Sequence, residues 1–483
     1  MMKFAGCKKY KNCNKIFSDY EIEEIHNTTL RILEEVGVKI LDEKTLKLFD
    51  SNGANVDYDK KTVKIGRELV SACLGKTPPA FSLYNQDYVE MRIGEEDFYV
   101  VSMVEEAYII DGSTHKRRET TLEDVKKTIR LIDQLPYYHI CCNPVIAHDV
   151  EPKLSIIYSA AQIYKNTAKN CLVVPSTGQE ARFIIELGAA VAGSEKKLIE
   201  KPVLSVTIAP SSPLKLPKNI CEVIWEYASR NLPIIIVHAP LAGATSPVTI
   251  AGTMAMANAE SLATLTLIQL INPGNSIGYG GAAVKFDMKT GFPAYGTIEY
   301  GILSTATAQL AKYYKLPAYG AGGATNANLS DAQSGYEKMS STLLGYMAGH
   351  DILCDAGLNA NGLISLDAMV IQDEIFAEVT RLSKKVQVND ESLAFDTIKR
   401  VMEGSDFLLE EHTLNNLHKD FVYSEVGNHK KYEEWVLEGG KDSIQKNTEL
   451  ADKILSGYEP HKLGDEKIKR IDEILKLAKD EII

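Results

Sequence analysis

Apolar positions change their spacing along the chain, and each spacing predicts a different kind of element. Over residues 18–48 they recur at helical intervals, and Ser18 with Glu21 reads as an S-x-x-E capping box that starts a helix. Over 53–94 short β-like pieces surround Pro78-Pro79, and the apolar run 98–110 stops at the turn pair Asp111-Gly112. Residues 1–137 therefore predict an N-terminal α+β extension packed on the remainder of the chain. From Tyr138 a new rhythm begins, in which a short β-rich run precedes a longer helical stretch several times over, and such alternation predicts a parallel sheet. The predicted strands are 139–147, 170–175, 202–210, 232–240, 276–284, 317–322 and 351–357, with an eighth at 406–410. Helices are predicted at 154–165, 179–192, 219–230, 250–271, 297–314, 331–348 and 366–384. Seven or eight β/α units fit the ~250 residues typical of a (β/α)8 TIM barrel better than an open sheet, which has fewer strands. The expected fold class is α/β: an N-terminal extension, a TIM barrel over 138–410 and a C-terminal helical extension over 411–483. That last part is rich in charge, carries Trp435 and Gly439-Gly440, and ends in an amphipathic Lys/Glu-rich helix.

Composition narrows the function classes. Of 483 residues 45% are apolar and 24% charged, which excludes disorder and low complexity. The longest apolar windows are interrupted by Asn258, Glu260, Ser261 or Gly274 before reaching the ~18–20 residues that cross a bilayer, and residues 1–20 hold lysines where a leader would be apolar. A cytoplasmic protein with no membrane partner is expected. Acidic residues outnumber basic ones, 65 to 53, for a formal charge of −12, whereas gripping nucleic acid needs a basic stripe longer than Lys8-Lys9 or Lys116-Arg117-Arg118. Eight cysteines without a C-x-x-C fit free thiols in a reducing compartment, and they give a structural zinc site little support.

Barrel enzymes react at the C-terminal ends of their strands. The residues predicted there include Asn143, Ser176, Ser211-Ser212-Pro213, His238, Gly243-Ala244-Thr245-Ser246-Pro247, Gly280-Gly281, 320–328 and 355–361. Small residues dominate, and glycines let a large flat ligand approach the backbone, although a flexible loop looks the same in sequence. Dinucleotide binding is not supported: Gly278-x-Gly280-x-x-Ala283 has the relaxed spacing, but the next residues, 284–293, contain Gly291 and Pro293 and do not open a helix. A P-loop is absent from the sequence. The nearest metal-like group is His350, Cys354 and Asp355 with His238, and a histidine at a strand end is more often a hydrogen-bonded pocket residue, so no metal is expected. Glu260, Glu299, Glu337 and Glu374 lie in apolar helices, where buried carboxylates need partners such as backbone amides. Tyr84, Tyr108, Tyr279, Phe286, Phe292, Tyr295 and Tyr319 fall near predicted strand ends or loops. Such rings pack, or they cage a quaternary ammonium at ~0.5–2 kcal/mol per good contact.

Several motifs together carry a resemblance. Residues 243–252, Asn258-Ala259-Glu260, 269–274 and 331–337 resemble the trimethylamine methyltransferase (MttB) superfamily, as do 111–118, Ser212-Pro213-Leu214, Leu316-Pro317 and Tyr432-x-x-Trp435. The match runs in order from about residue 15 to 460. Trimethylamine enzymes of that superfamily carry pyrrolysine in the glycine-rich stretch corresponding to 321–328, which here reads Ala-Gly-Gly-Ala-Thr-Asn-Ala-Asn. The chain thus resembles the non-pyrrolysine branch. That resemblance implies transfer of a methyl group from a quaternary amine (glycine betaine, proline betaine, carnitine or γ-butyrobetaine) to the Co(I) corrinoid of a separate corrinoid protein. No tightly bound cofactor is implied, and a homo-oligomer is expected. Under this reading Tyr108, Tyr279, Phe292 and Tyr295 are candidates for the ammonium cage, and His238 and Lys285 for the betaine carboxylate. His350 is the candidate catalytic residue, also able to bind the carboxylate, and Gly322, Gly323 and Thr325 face the corrinoid. A zinc-dependent corrinoid methyltransferase using His350 and Cys354, and a non-catalytic betaine-binding barrel, are the alternatives.

Overall fold

Eight short strands close on one another in the computed structural model, which describes residues 6–11, 13–111, 114 and 116–483. They are β1 (Asp97–Val101), β2 (Ile140–Cys142), β3 (Asn170–Val173), β4 (Leu204–Ile208), β5 (Ile234–His238), β6 (Ile277–Gly281), β7 (Ala318–Ala321) and β8 (Ile352–Cys354). Each pairs in parallel with the next, and β8 returns to β1. The intervening helices are α1 (Leu122–Gln134), α2 (Pro152–Asn166), α3 (Gly178–Ala192), α4 (Lys218–Ala228), α5 (Ile250–Ile271), α6 (Ile298–Tyr313), α7 (Ala332–Ala348) and α8 (Leu366–Thr380). This is the expected TIM barrel, with one strand relocated. Residues Phe407–Leu409 form a 3-10 turn and not an eighth strand. The missing strand is β1, within the segment expected to be an extension, and α1 follows it from a Thr121/Asp124 capping box. The barrel therefore runs from Asp97 to Thr380 rather than over 138–410. Gly112, Ser113 and His115 of the expected turn and motif lie outside the described residues.

Residues alternate between two cores, as strand geometry requires. Outward-facing side chains pack on the helices. Inward-facing Tyr99, Val101, Ile140, Cys142, Leu172, Ile235, Tyr319, Ile352 and Cys354 form a separate lumenal cluster with Phe81, Leu83, Met91 and Ile93. Those last four belong to the hairpin Phe81–Tyr84/Glu90–Ile93. Backbone bonds from Tyr84 N to Pro202 O and from Gln86 N to Ala168 O, and one from Gly94 N to Asp351 Oδ1, hold the hairpin over the N-terminal ends of β4, β3 and β8. The barrel floor is closed by the chain's own N-terminal portion.

Helix α5 is long and apolar enough by length and composition to cross a bilayer, but 89% of that window is buried inside the fold. It is apolar on all sides because the sheet lies on one side and helices Asp19–Arg31 and Arg67–Lys76 pack on it from others. At the far end of the chain, Ser443–Ser456 packs on α8 and α1, and Asp465–Ile482 packs on α2 and α3 through Ile471, Ile474, Leu475 and Ala478. Between α8 and these helices, Phe395, Met402, Leu408, Leu409, Phe421 and Leu437 stand exposed.

Close approach fixes one glycine in β6. A Cβ on Gly281 would lie 2.1 Å from Nε2 of the buried His238. Gly281→Ala is expected to destabilise the protein by about 1–3 kcal/mol, as overpacking of a filled core does, read as a lower urea midpoint with unchanged m-value.

Candidate functional site

The C-terminal rim of the barrel stays open and is lined by small apolar groups. Continuing the inward set of each strand upward, Val174, Val237, Ala282 and Ala321 are half-buried, and Ala209 and Ala239 are exposed. On the β6–β8 side an aromatic wall rises from the lumen. Tyr319 is its lowest ring, and its hydroxyl pairs with the Cys354 thiol. Above it, Tyr295 and Tyr300 meet edge to face at 5.2 Å and 79° among Val284, Ala321, Ala324 and Ala356. The Tyr300 hydroxyl is buried and has no hydrogen-bond partner.

Two consecutive carboxyls follow β1. Glu105 takes a left-handed backbone, φ +56°, a conformation that costs a non-glycine residue energy and clusters at functional sites. Its amide donates to Asn143 O and that of Glu106 to Pro144 O, fixing both beside β2. Burial pushes the Glu105 carboxyl up to about 7, with the Asn143 side chain opposing the shift and the Glu180 charge adding to it. Glu106 is fully buried, and burial raises its carboxyl well above the usual range against the pull of Gly357 N–H and Lys338. Glu106 Oε1 accepts from Gly357 N at 3.0 Å, while Oε2 has no partner. Tyr295 and Cys354 both feel the Glu106 charge, which puts this carboxyl at the aromatic wall. Behind it, Asp355 Oδ2 accepts from Tyr138 at 2.6 Å, and Oδ1 lies 3.6 Å from Lys338 Nζ. Lys338 Nζ itself donates to Gly323 O (2.6 Å) and Ala356 O (2.7 Å). Carboxyls thus outnumber cations at the rim.

The expected site residues divide sharply. Tyr295 is at the rim. His350 precedes β8, at the floor end of the barrel, and is fully buried with Nε2 at 3.1 Å from Ser304 Oγ and O. Burial holds its imidazole down to about 3, so it is neutral and remote from the rim, which removes it as the catalytic residue. His238 is on the outward face of β5, between Ser261 Oγ (3.0 Å) and Thr307 Oγ1 (3.3 Å). Tyr279 faces outward too, its hydroxyl donating to Asn258 Oδ1 at 2.8 Å. Neither reaches the lumen, because strands buried on both faces do not declare in sequence which set points inward. Phe292 and Lys285 are exposed on the hairpin Val284–Asp287/Phe292–Pro293, where Lys285 Nζ lies 3.5 Å from Glu299. Tyr108 sits in a flanking sheet, and Arg117 already covers its ring at 4.4 Å. Gly322, Gly323 and Thr325 are buried and do not face the opening. A Cβ on Gly323 would be 2.2 Å from Asp355 Oδ1, Gly322 faces Thr342, and Thr325 donates to Glu337 Oε2 at 2.6 Å.

Two of the helix carboxylates do bind backbone. Glu260 accepts from Leu214 N and Glu337 from Asn326 N, both at 2.8 Å. Among the described residues no group of three His, Cys, Asp or Glu side chains is placed to hold a metal ion, and all eight cysteines are free thiols. Glu105, Glu106, Tyr300 and Lys338 were not among the expected site residues. The usable signal was the pair Glu105-Glu106 directly after an apolar run, where a barrel strand ends.

The buried carboxyl makes stability depend on pH. Because the folded Glu105 carboxyl sits above the ordinary ~4.3 of glutamate, the native state binds more protons than the unfolded state between those values. Stability is therefore fully present below the ordinary value and declines as pH rises through about 7. The urea midpoint is expected to be higher at pH 5.5 than at pH 8, and Glu105→Gln to reduce that difference.

Comparison with known proteins adds sequence and fold relationships. The family model described as trimethylamine methyltransferase (MTTB) matches residues 4–482. A trimethylamine methyltransferase MttB of Desulfitobacterium hafniense is 32% identical over 470 residues, covering 96% of this chain and 94% of that protein. A glycine betaine methyltransferase of the same species is 30% identical over 461 residues, covering 93% and 94%. The crystal structure of the hydroxylamine MtmB complex superposes with a TM-score of 0.51 at 13% identity, covering 95% of this chain and 97% of that one, which is a likeness of fold.

Proposed function

The chain belongs to the trimethylamine methyltransferase (MttB) family and is a methyltransferase, and within that family we propose that it moves a methyl group from a quaternary amine to the Co(I) corrinoid of a separate corrinoid protein. The observation that carries the reading is the C-terminal end of the barrel itself, where the rings of Tyr295, Tyr300 and Tyr319 and the carboxyls of Glu105 and Glu106 gather beneath strand ends lined by alanine and valine. Aromatic faces and carboxylates attract a cation without hydrogen-bonding it, which suits a nitrogen that bears four carbons. The glycine betaine methyltransferase relative supports a quaternary donor, and the ordinary residues at 321–328 support the non-pyrrolysine branch.

A quaternary nitrogen needs no protonation before it departs. The N–CH3 bond breaks with its electron pair remaining on nitrogen, so a neutral tertiary amine leaves. The Co(I) lone pair forms the new Co–C bond, and cobalt becomes formally Co(III). What the chain supplies is position: the donor methyl held in line with the metal, in a site from which water is excluded. Small side chains at Ala209, Ala239, Ala282 and Ala321 leave room for the macrocycle above the donor. In this reading the chain binds no tight cofactor of its own. The exposed apolar side chains between Phe395 and Leu437 support a homo-oligomer, which light scattering of the purified protein checks.

The test offers a cognate corrinoid protein, reduced to Co(I) and shown to be competent, together with trimethylamine, glycine betaine, proline betaine, carnitine, γ-butyrobetaine and tetramethylammonium. Methyl-Co(III) formation with a quaternary amine and none with trimethylamine is the expected outcome. No conversion with any quaternary amine overturns the proposal.

A further inference from the structure

Helix Ser443–Ser456 meets the barrel at a second polar site, whose reading does not rest on the proposed reaction. Two adjoining cavities of about 720 and 340 Å³ lie there, and Ser330 and Asp442 line both. Ser330 stands in the loop from β7 to α7, Asp367 in the first turn of α8, and Asn447 in Ser443–Ser456. Asn447 lines the larger cavity and Asp367 the smaller. All three residues are more than nine-tenths buried. Yet Ser330 Oγ, Asp367 Oδ2 and both side-chain polar atoms of Asn447 have no hydrogen-bond partner among the described residues. Buried polar groups are nearly always paired, because an unmade bond leaves the full cost of taking the group out of water. Unpartnered atoms from three separate elements, gathered on one pair of cavities, point to a ligand.

The lining decides its chemistry. Among the described residues five carboxylic side chains border the larger cavity and three the smaller, Asp442 belonging to both, against three lysines and one. Those lysines are engaged: Lys430 with Glu438, Lys441 with Glu449, Lys127 with Asp452, and Lys446 with the carbonyls of Val426 and Gly427. At the start of α7 and of Ser443–Ser456, the caps Asp331 and Asp442 accept from Ser334 N and Gln445 N. The setting therefore disfavours an anion and offers a cation two unpartnered acceptors, Asp367 Oδ2 and Asn447 Oδ1. Such oxygens reward N–H donors, which a quaternary nitrogen lacks. Asn447 Nδ2, for its part, needs an oxygen that accepts. Ile110, Leu329, Leu366 and Ile444 add apolar surface for methylene groups. We propose that these cavities bind a protonated primary amine that also carries an uncharged oxygen acceptor, the class of linear amino alcohols, at a site separate from that of the methyl donor.

Calorimetric titration of the whole chain with linear amino alcohols, from ethanolamine to 6-aminohexanol, and with their N-trimethyl counterparts, of which choline is the shortest, tests this. The best amino alcohol is expected to bind at least about tenfold tighter than its trimethyl counterpart, since a site built to hydrogen-bond an N–H rejects the analogue without one. Excess tetramethylammonium should leave that affinity unchanged, which separates these cavities from the rim. Asn447→Leu, close in size, removes both unpartnered atoms and should weaken the amino alcohol at least about tenfold without lowering the melting temperature. An asparagine with only a structural role would instead cost stability and leave binding unchanged. Asp367→Asn keeps an oxygen for the Ser365 hydroxyl, serves as the second variant should the first fold poorly, and should weaken the same ligand. No binding of any amino alcohol, equal binding of the trimethyl counterparts, displacement by tetramethylammonium, or unchanged affinity in both variants overturns the inference.

Discussion

Lys338→Met lowers the stability of the protein by about 3–5 kcal/mol, the cost found when one member of a buried ion pair is removed. Lys338 is almost fully buried and contacts Gly323 O, Ala356 O and Asp355, so its loss strands two carbonyl oxygens and a carboxyl in the barrel wall. Glu106, already pushed up by burial, loses the charge that opposes that shift. Since a domain holds only about 5–15 kcal/mol in total, the expected loss is a large fraction of it. The sign of its pH dependence is set. Asp355 and Glu106 both titrate above their ordinary range in the folded chain, and removing the ammonium moves them further up. Their penalty applies where they are ionised in the unfolded state, so the variant recovers as pH falls toward the ordinary carboxyl range. Urea denaturation at pH 8 and pH 5.5 measures both effects, and a deficit unchanged between the two pH values would exclude charge stranding as its cause.

The largest effect on activity is expected from Ala239→Trp. Ala239 is exposed at the rim above β5, so an indole there lies across the opening and burdens no packed core. Turnover should fall by more than about a hundredfold, since an ångström of misplacement between reacting centres costs that much. The melting temperature should hardly move, because a surface substitution of this kind stays within about 0.5 kcal/mol. Methyl-Co(III) formation and thermal unfolding on one preparation separate the two. Turnover within a few fold of the unsubstituted chain would show that the acceptor does not approach over β5.

Much of this architecture is legible in the sequence because the β/α rhythm depends on runs and their lengths. Seven predicted strands overlap barrel strands, and the helices between them lie where their apolar spacing puts them. The first strand escapes because Phe98 to Val101 comes after several short antiparallel pieces, and a run apolar at every position does not say whether its neighbours are parallel. The site is less legible for a related reason. His238, Tyr279 and His350 look exposed to chemistry in a linear reading, but the first two take the outward register and the third lies at the floor end. Tyr319, in the inward register, occupies the lumen. Local sequence does not encode that choice. Nor does it encode the meeting of Glu106 with Gly357, since it joins residues from the first and last βα units.

The hairpin under the barrel has a kinetic consequence. With Phe81, Leu83, Met91 and Ile93 filling the floor, small molecules and a bulky macrocycle share one doorway. Under the proposed reaction the donor must enter before the corrinoid protein docks, and the demethylated amine stays trapped until that protein departs. This geometry imposes sequential kinetics with a compulsory order, in which excess corrinoid protein inhibits by seating itself on an empty chamber.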